Sequence, residues 1–120
     1  MNKIFKSEKI LQAVLNYYGI TNQEIISNSK NVVFVEARKM FCYISTEFSN
    51  AKYEDIGKLI NRDHSTVTYS VNKIKVYKEV YSKIRKDIEQ VTVNLFSDHS
   101  LIPDNIDLLR MTENYTNSFI

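Results

Sequence analysis

Apolar residues recur along most of this chain at the three- and four-residue spacing of a helix that buries one face. Ile10, Val14, Leu15 and Tyr18 form such a stripe and Gly19 follows as a left-handed stop, which predicts a first helix over 7–18. Thr21 stands three residues before Glu24, the reciprocal capping pattern that satisfies two orphan amides, so Ile25 and Ile26 belong to a short second helix. The polar stretch 27–31 is a joint. Phe34, Ala37, Phe41, Ile44 and Phe48 then line one side of a third helix over about 33–48, with Arg38, Lys39 and Glu47 left outside, and this is the expected core helix. After a polar link, 53–60 reads as a two-turn helix with Glu54 and Asp55 near its positive end. Asn61-Arg62 is a tight joint, and Asp63 is placed to cap the helix that starts at His64. From there Val67, Val71, Ile74, Tyr77, Tyr81, Ile84, Ile88 and Val91 continue an apolar stripe to about Thr92. That stripe allows one long helix or two with a bend near 79–82, because no Gly or Pro decides between them.

Composition supports a helical reading. With two glycines and one proline among 120 residues there is little punctuation for a many-stranded β fold, and the length suits about one domain. The expectation is an all-α domain of about five or six helices. The lone Cys42 cannot form a disulfide within the chain and has no His, Lys or second Cys placed to lower its pKa, so it reads as a small packing residue. No cysteine-ligated zinc site and no other metal is expected. No stretch approaches the roughly 18 apolar residues of a membrane span, and a cytoplasmic location is expected. Charge divides the chain: residues 1–93 carry 15 Lys and Arg against 10 Asp and Glu, whereas 94–120 carry one Arg against four acids. A basic body with an acidic tail is the result.

Two helices joined by a few residues, the second opening with small polar side chains beside an Arg, is the arrangement of a helix-turn-helix. In such a unit the first turn of the second helix projects toward base edges in the major groove. Short side chains permit close approach. Thr66 offers a hydroxyl and a methyl, Ser65 a hydroxyl, His64 a ring donor, and Arg62 a fork for a guanine edge or a phosphate. Capping alone would also account for Asp63, Ser65 and Thr66, and it is the commoner service of such residues.

The run Ile56-Gly57-Lys58-Leu59-Ile60-Asn61-Arg62-Asp63-His64-Ser65-Thr66-Val67 resembles the signature of the C-terminal DNA-binding domain of the bacterial replication initiator DnaA, in which an Ile-Gly helix leads into Arg-Asp-His-(Ser/Thr)-Thr-Val. Ile10 to Tyr18, Ile25-Ile26, Arg38-Lys39-Met40 and Ile74 are also similar to that domain in order, so the likeness covers about 8–92. The resemblance implies a helix-turn-helix fold of Trp-repressor-like type and double-stranded DNA as partner. It implies base contacts from Asp63, His64, Ser65 and Thr66 with Arg62 beside them, and phosphate contacts from Arg38, Lys39 and Lys73. The chain departs from the family in three places. The arginine-rich loop ahead of the core helix is thinned, leaving Lys30 as its one cation; the Gly-Gly turn is shortened to Asn61; and Lys52-Tyr53-Glu54 replaces Ser-Leu-Pro, which removes a capping hydroxyl and adds the Lys52 charge near the phosphate track.

The family's full-length initiator carries an ATPase domain, whereas this chain has only Gly19 and Gly57 and no G-x-x-x-x-G-K-[ST] run. ATP-driven origin melting is not expected of it, no cofactor is expected, and no catalytic residue is assigned: Asp63, His64 and Ser65 are consecutive on a helix and cannot converge as a triad. The domain expectation is a DNA-binding body over 1–93 and an acidic extension over 94–120. In that extension Ile102, Ile106, Leu109 and Met111 suggest a short amphipathic helix near Pro103, which folds back or serves a protein partner or self-association. The expected function is sequence-specific duplex DNA binding that regulates replication initiation or transcription. The alternative is a helical assembly or adaptor protein, viral and virion-associated in one version, that uses a DnaA-like fold for protein contacts.

Overall fold

The third helix in sequence is the centre of the molecule. In a computed structural model that describes residues 5–97, α3 (Val32–Phe48) touches each of the other five helices: α1 (Ser7–Tyr18), α2 (Asn22–Ile26), α4 (Tyr53–Leu59), α5 (His64–Val80) and α6 (Ser82–Phe96). No strand is present among the described residues, and the fold is all-α with six helices there. Being surrounded, α3 buries more than one stripe: Ala37, Met40, Phe41, Cys42, Tyr43, Ile44 and Phe48 are all buried. Arg38, read from the sequence as outside, is buried as well. Cys42 lies in this apolar centre, and burial pushes its thiol up to about 12, which suits a packing group rather than a nucleophile.

Local signals set the helix ends. Gly19 takes the left-handed conformation at φ 66° and closes α1, while Thr21 and Glu24 form the reciprocal capping box of α2. Asn31 accepts from the Val33 amide at 2.9 Å, which starts α3 at Val32, one residue ahead of the expected start.

The open question of one long helix or two is answered at Tyr81. Its backbone is extended (φ −110°, ψ 115°), ending α5 and starting α6. Arg85 donates to the Lys78 carbonyl at 2.8 Å, serving an acceptor that the broken helix leaves without its usual amide. The break lets α6 turn back onto α1 and α3, where Ile84, Ile88, Val91 and Leu95 are buried. A polar fastener helps: Tyr17 on α1 donates to Asp87 on α6 at 2.5 Å, and Lys83 bridges Asp87 and Glu36 at 2.9 and 3.1 Å. Burial and the Asp87 hydrogen bond together raise the Tyr17 hydroxyl to about 12.

The helical body continues through Phe96, three residues past the boundary at 93. Phe96 meets Phe5 and Phe48 edge to face, with ring centroids 5.3 and 5.7 Å apart, and the Phe5 amide donates to the Phe48 carbonyl at 3.0 Å. The helix suggested around 103–111 lies outside the described residues. No described helix is long and apolar enough to cross a membrane.

Candidate nucleic-acid interface

The interface begins with a glycine. Helix α4 ends at Leu59, and the chain doubles back so closely that a Cβ on Gly57 would lie 2.3 Å from the Arg62 carbonyl oxygen. Only hydrogen fits there. The Gly57 carbonyl in return accepts from the amides of Ile60 and Arg62 at 3.1 and 2.8 Å, closing the turn. Asn61 supplies the left-handed residue at φ 59°, a conformation that Asn tolerates better than most side chains. The single Asn that stands in place of two glycines therefore still carries the positive-φ step of the turn.

Asp63 caps the second helix. One carboxylate oxygen accepts from the Thr66 amide and from the Ser65 hydroxyl, both at 2.9 Å. These bonds, the backbone one foremost, hold its carboxyl below the usual carboxylate range. Asp63, His64 and Ser65 are exposed and Thr66 is half-buried, while Val67, Ser70, Val71 and Ile74 of the same helix face the core. The first turn of α5 thus presents one carboxylate, one imidazole and two hydroxyls to solvent on a rigid, well-packed helix. Capping and groove reading are compatible, since a carboxylate has acceptor capacity beyond the bonds it makes within the turn.

Arg62 is not part of that outward group. Its guanidinium donates to the carbonyls of Ser27 at 2.7 Å, Ile60 at 3.0 Å and Asn61 at 3.1 Å. Arg38 is 7% exposed, and it donates to the carbonyls of Ile25, Ser29 and Ser27 at 2.7, 2.9 and 2.9 Å. Burial foremost, and the nearby Arg62 charge, lower its pKa. Both arginines expected to meet DNA are turned onto the protein's own backbone. Composition alone does not show such a role, but accounting for carbonyls does: α2 and the joint after it leave several buried acceptors that need donors.

The lysines behave differently. Lys30 and Lys39 line one open cleft with Val35, Ile74 and Tyr77, about 430 Å³ in volume, between α3 and the α5–α6 break. Lys73 lies over the rings of Tyr69 and Tyr77, 5.3 and 6.0 Å from their centroids, so Tyr77 connects it to the same cleft. Lys30 also shares a shallow hollow with Arg38, Asn61 and Arg62, which brings it beside the turn. Lys52 is exposed at the N-cap of α4, with no side-chain cap bond, at the end of that helix away from the turn.

Comparison with known proteins agrees with this arrangement. The family described as the bacterial DnaA protein helix-turn-helix matches residues 7–74, the span from α1 through most of α5. Chromosomal replication initiator protein DnaA of Borrelia turicatae is 36% identical over 74 residues, 61% of this chain and 15% of that protein. The Rhizobium meliloti protein of the same name is 31% identical over 83 residues, 68% of this chain and 17% of the relative. Protein DnaA 1 of Chlamydia pneumoniae is 33% identical over 92 residues, 76% of this chain and 20% of the relative. The chain thus spans a fifth or less of the length of these relatives. With the glycine-closed turn, the Asp-capped start of α5 and the central α3 all inside the matched span, the chain belongs to the bacterial DnaA helix-turn-helix family.

Proposed function

We propose that this chain binds double-stranded DNA by laying the first turn of α5 in the major groove, in a role tied to the initiation of replication or its control. The observation that carries the reading is the uncovered, polar and capped start of α5, held at a fixed angle to α4 by the Gly57–Asn61 turn. Asp63, His64, Ser65 and Thr66 read base edges. Lys30, Lys39 and Lys73 gather on the cleft side of the molecule to meet phosphates, and Lys52 adds a charge at the start of α4. Arg62 and Arg38, spent on backbone carbonyls, leave the list of direct contacts.

Four lysines on phosphates predict a log affinity that falls against log salt with a slope of about −3 to −4. Selection of bound sequences from a random duplex pool, followed by titration at several salt concentrations, tests the reading. Enrichment of a common element with that slope supports it; no enrichment together with salt-insensitive binding overturns it.

A protein-contact reading draws on a different observation. Val32, Val76, Val80 and Tyr81 stand 81, 60, 65 and 54% exposed around the cleft and the α5–α6 break. Partner capture that survives loss of His64 and Thr66 side chains, with no retention on DNA, would favour it.

A further inference from the structure

Two guanidinium groups meet at one carbonyl. Arg38 reaches the Ser27 carbonyl from α3 at 2.9 Å, and Arg62 reaches it from the turn before α5 at 2.7 Å. Each then grips its own side. Arg38 takes the carbonyls of Ile25 and Ser29, and Arg62 takes those of Ile60 and Asn61. Between them they tie the end of α2 and the joint after it to the turn that launches α5. The arrangement costs something, because one of the two charges is buried and they lie close together. Carbonyls at the end of α2 offset that cost, being acceptors that helix geometry leaves without amides and that carry its negative dipole end. A planar fork can serve carbonyls from two segments at once, which an ammonium on a flexible stem does poorly.

Lys30 follows directly on Ser29, whose carbonyl Arg38 holds, and it shares a hollow with Asn61 and Arg62. The joint is further ordered by its own bonds, from the Ser29 amide to the Ser27 hydroxyl and from the Asn31 amide to the Ser29 hydroxyl. We propose that Arg62 and Arg38 are positioning residues that lock the Lys30 joint in register with the first turn of α5, so that Arg62 governs DNA recognition without touching DNA. The recognition half of this statement rests on the DNA-binding reading above; the locking half does not.

The experiment uses the full chain and the variants Arg62→Lys, Arg38→Lys, Lys30→Ala, the Arg62→Lys and Lys30→Ala double mutant, and Lys73→Ala. Arg62→Lys keeps the charge and loses the fork. Its duplex affinity is expected to fall about tenfold and the slope of log affinity against log salt to become shallower by about one, as Lys30→Ala and Lys73→Ala each make it, because the loosened joint no longer brings Lys30 to its phosphate. Lys30→Ala is expected to cost little further affinity once Arg62 is Lys, because the joint that aims Lys30 is already loose. An unchanged slope in Arg62→Lys, with the Lys30 effect fully additive, would show that Lys30 keeps its contact when the fork is gone and would overturn the proposal. Amide hydrogen exchange in the unbound protein reads the lock by itself: the Ser29 and Asn31 amides should exchange roughly tenfold faster in Arg62→Lys and in Arg38→Lys, with the α1 and α6 amides unchanged. Unchanged exchange at Ser29 and Asn31 overturns the lock whatever the DNA result, while faster exchange in a protein that never binds duplex keeps the lock and removes only the DNA reading.

Discussion

The side of the molecule where α1, α3 and α6 meet and the side where α4 turns into α5 are built by different means. On the first, Phe5, Phe48 and Phe96 interlock edge to face, and Ile10, Val14, Ile88 and Val91 fill the space around them. Its stability comes from area removed from water, a quantity that many apolar side chains of similar volume can supply. On the second, few atoms decide. One absent Cβ at Gly57, one left-handed residue at Asn61 and two guanidiniums on the Ser27 carbonyl set where the first turn of α5 points. The comparison separates stability from aim. Substitutions on the first side should alter how well the protein folds, and those on the second should alter what it recognises at a smaller cost in stability.

The largest expected effect lies on the apolar side. Phe96→Ala removes a ring buried against Phe5 and Phe48 and should cost about 3–5 kcal/mol in urea or thermal unfolding. Folded protein that remains at low temperature should keep its preference among DNA sequences. Loss of sequence preference in the folded fraction would break the separation. Gly57→Ala comes next and tests the other side: its Cβ meets backbone at Arg62, so the turn must shift, for about 1–3 kcal/mol. Duplex binding should fall much more steeply than that stability loss suggests, because the shift re-aims α5. A variant that binds DNA like the parent would show that the close approach does not set the angle.

The two sides were also unequally legible in the sequence. Apolar periodicity marked α1 and α3 to within a residue, since burying one face leaves a repeat of three and four along the chain. The same repeat ran on through Tyr81 and could not reveal the break there. That break is a tertiary event, made favourable by α6 packing on α1 and by Arg85 serving the Lys78 carbonyl. Asp63 as N-cap was readable because capping has a local signature. The inward turn of Arg38 and Arg62 was not, because hydrogen bonds to carbonyls 13 and 35 residues away leave no period and no local pattern. Resemblance to a family supplies residue types at positions; it does not say which way an arginine points.

Thr66→Ala is expected to act on aim alone. Alanine keeps the Thr66 amide that bonds Asp63 and loses only the exposed side-chain interaction with that carboxylate, so unfolding should shift by no more than about 0.5 kcal/mol. Discrimination at one base position should drop roughly fivefold to tenfold, read by repeating the pool selection with the variant. Equal weakening on every sequence would move Thr66 from base reading to phosphate contact.

The smallest effect is expected at Asn61. Its φ of 59° strains most side chains, and Asn61→Gly relieves that strain while adding backbone freedom to the unfolded chain. The two terms oppose each other and are of similar size, so stability should change by no more than about 0.5 kcal/mol either way. Asn61→Val keeps the chain length but places a β-branched residue at positive φ, and it should cost about 1–2 kcal/mol. If the turn side is governed by backbone conformation, the glycine variant will bind duplex like the parent and the valine variant will not. Parallel losses in both would instead assign Asn61 a side-chain contact with DNA, and the aim of α5 would then depend on more than the path of the chain through this turn.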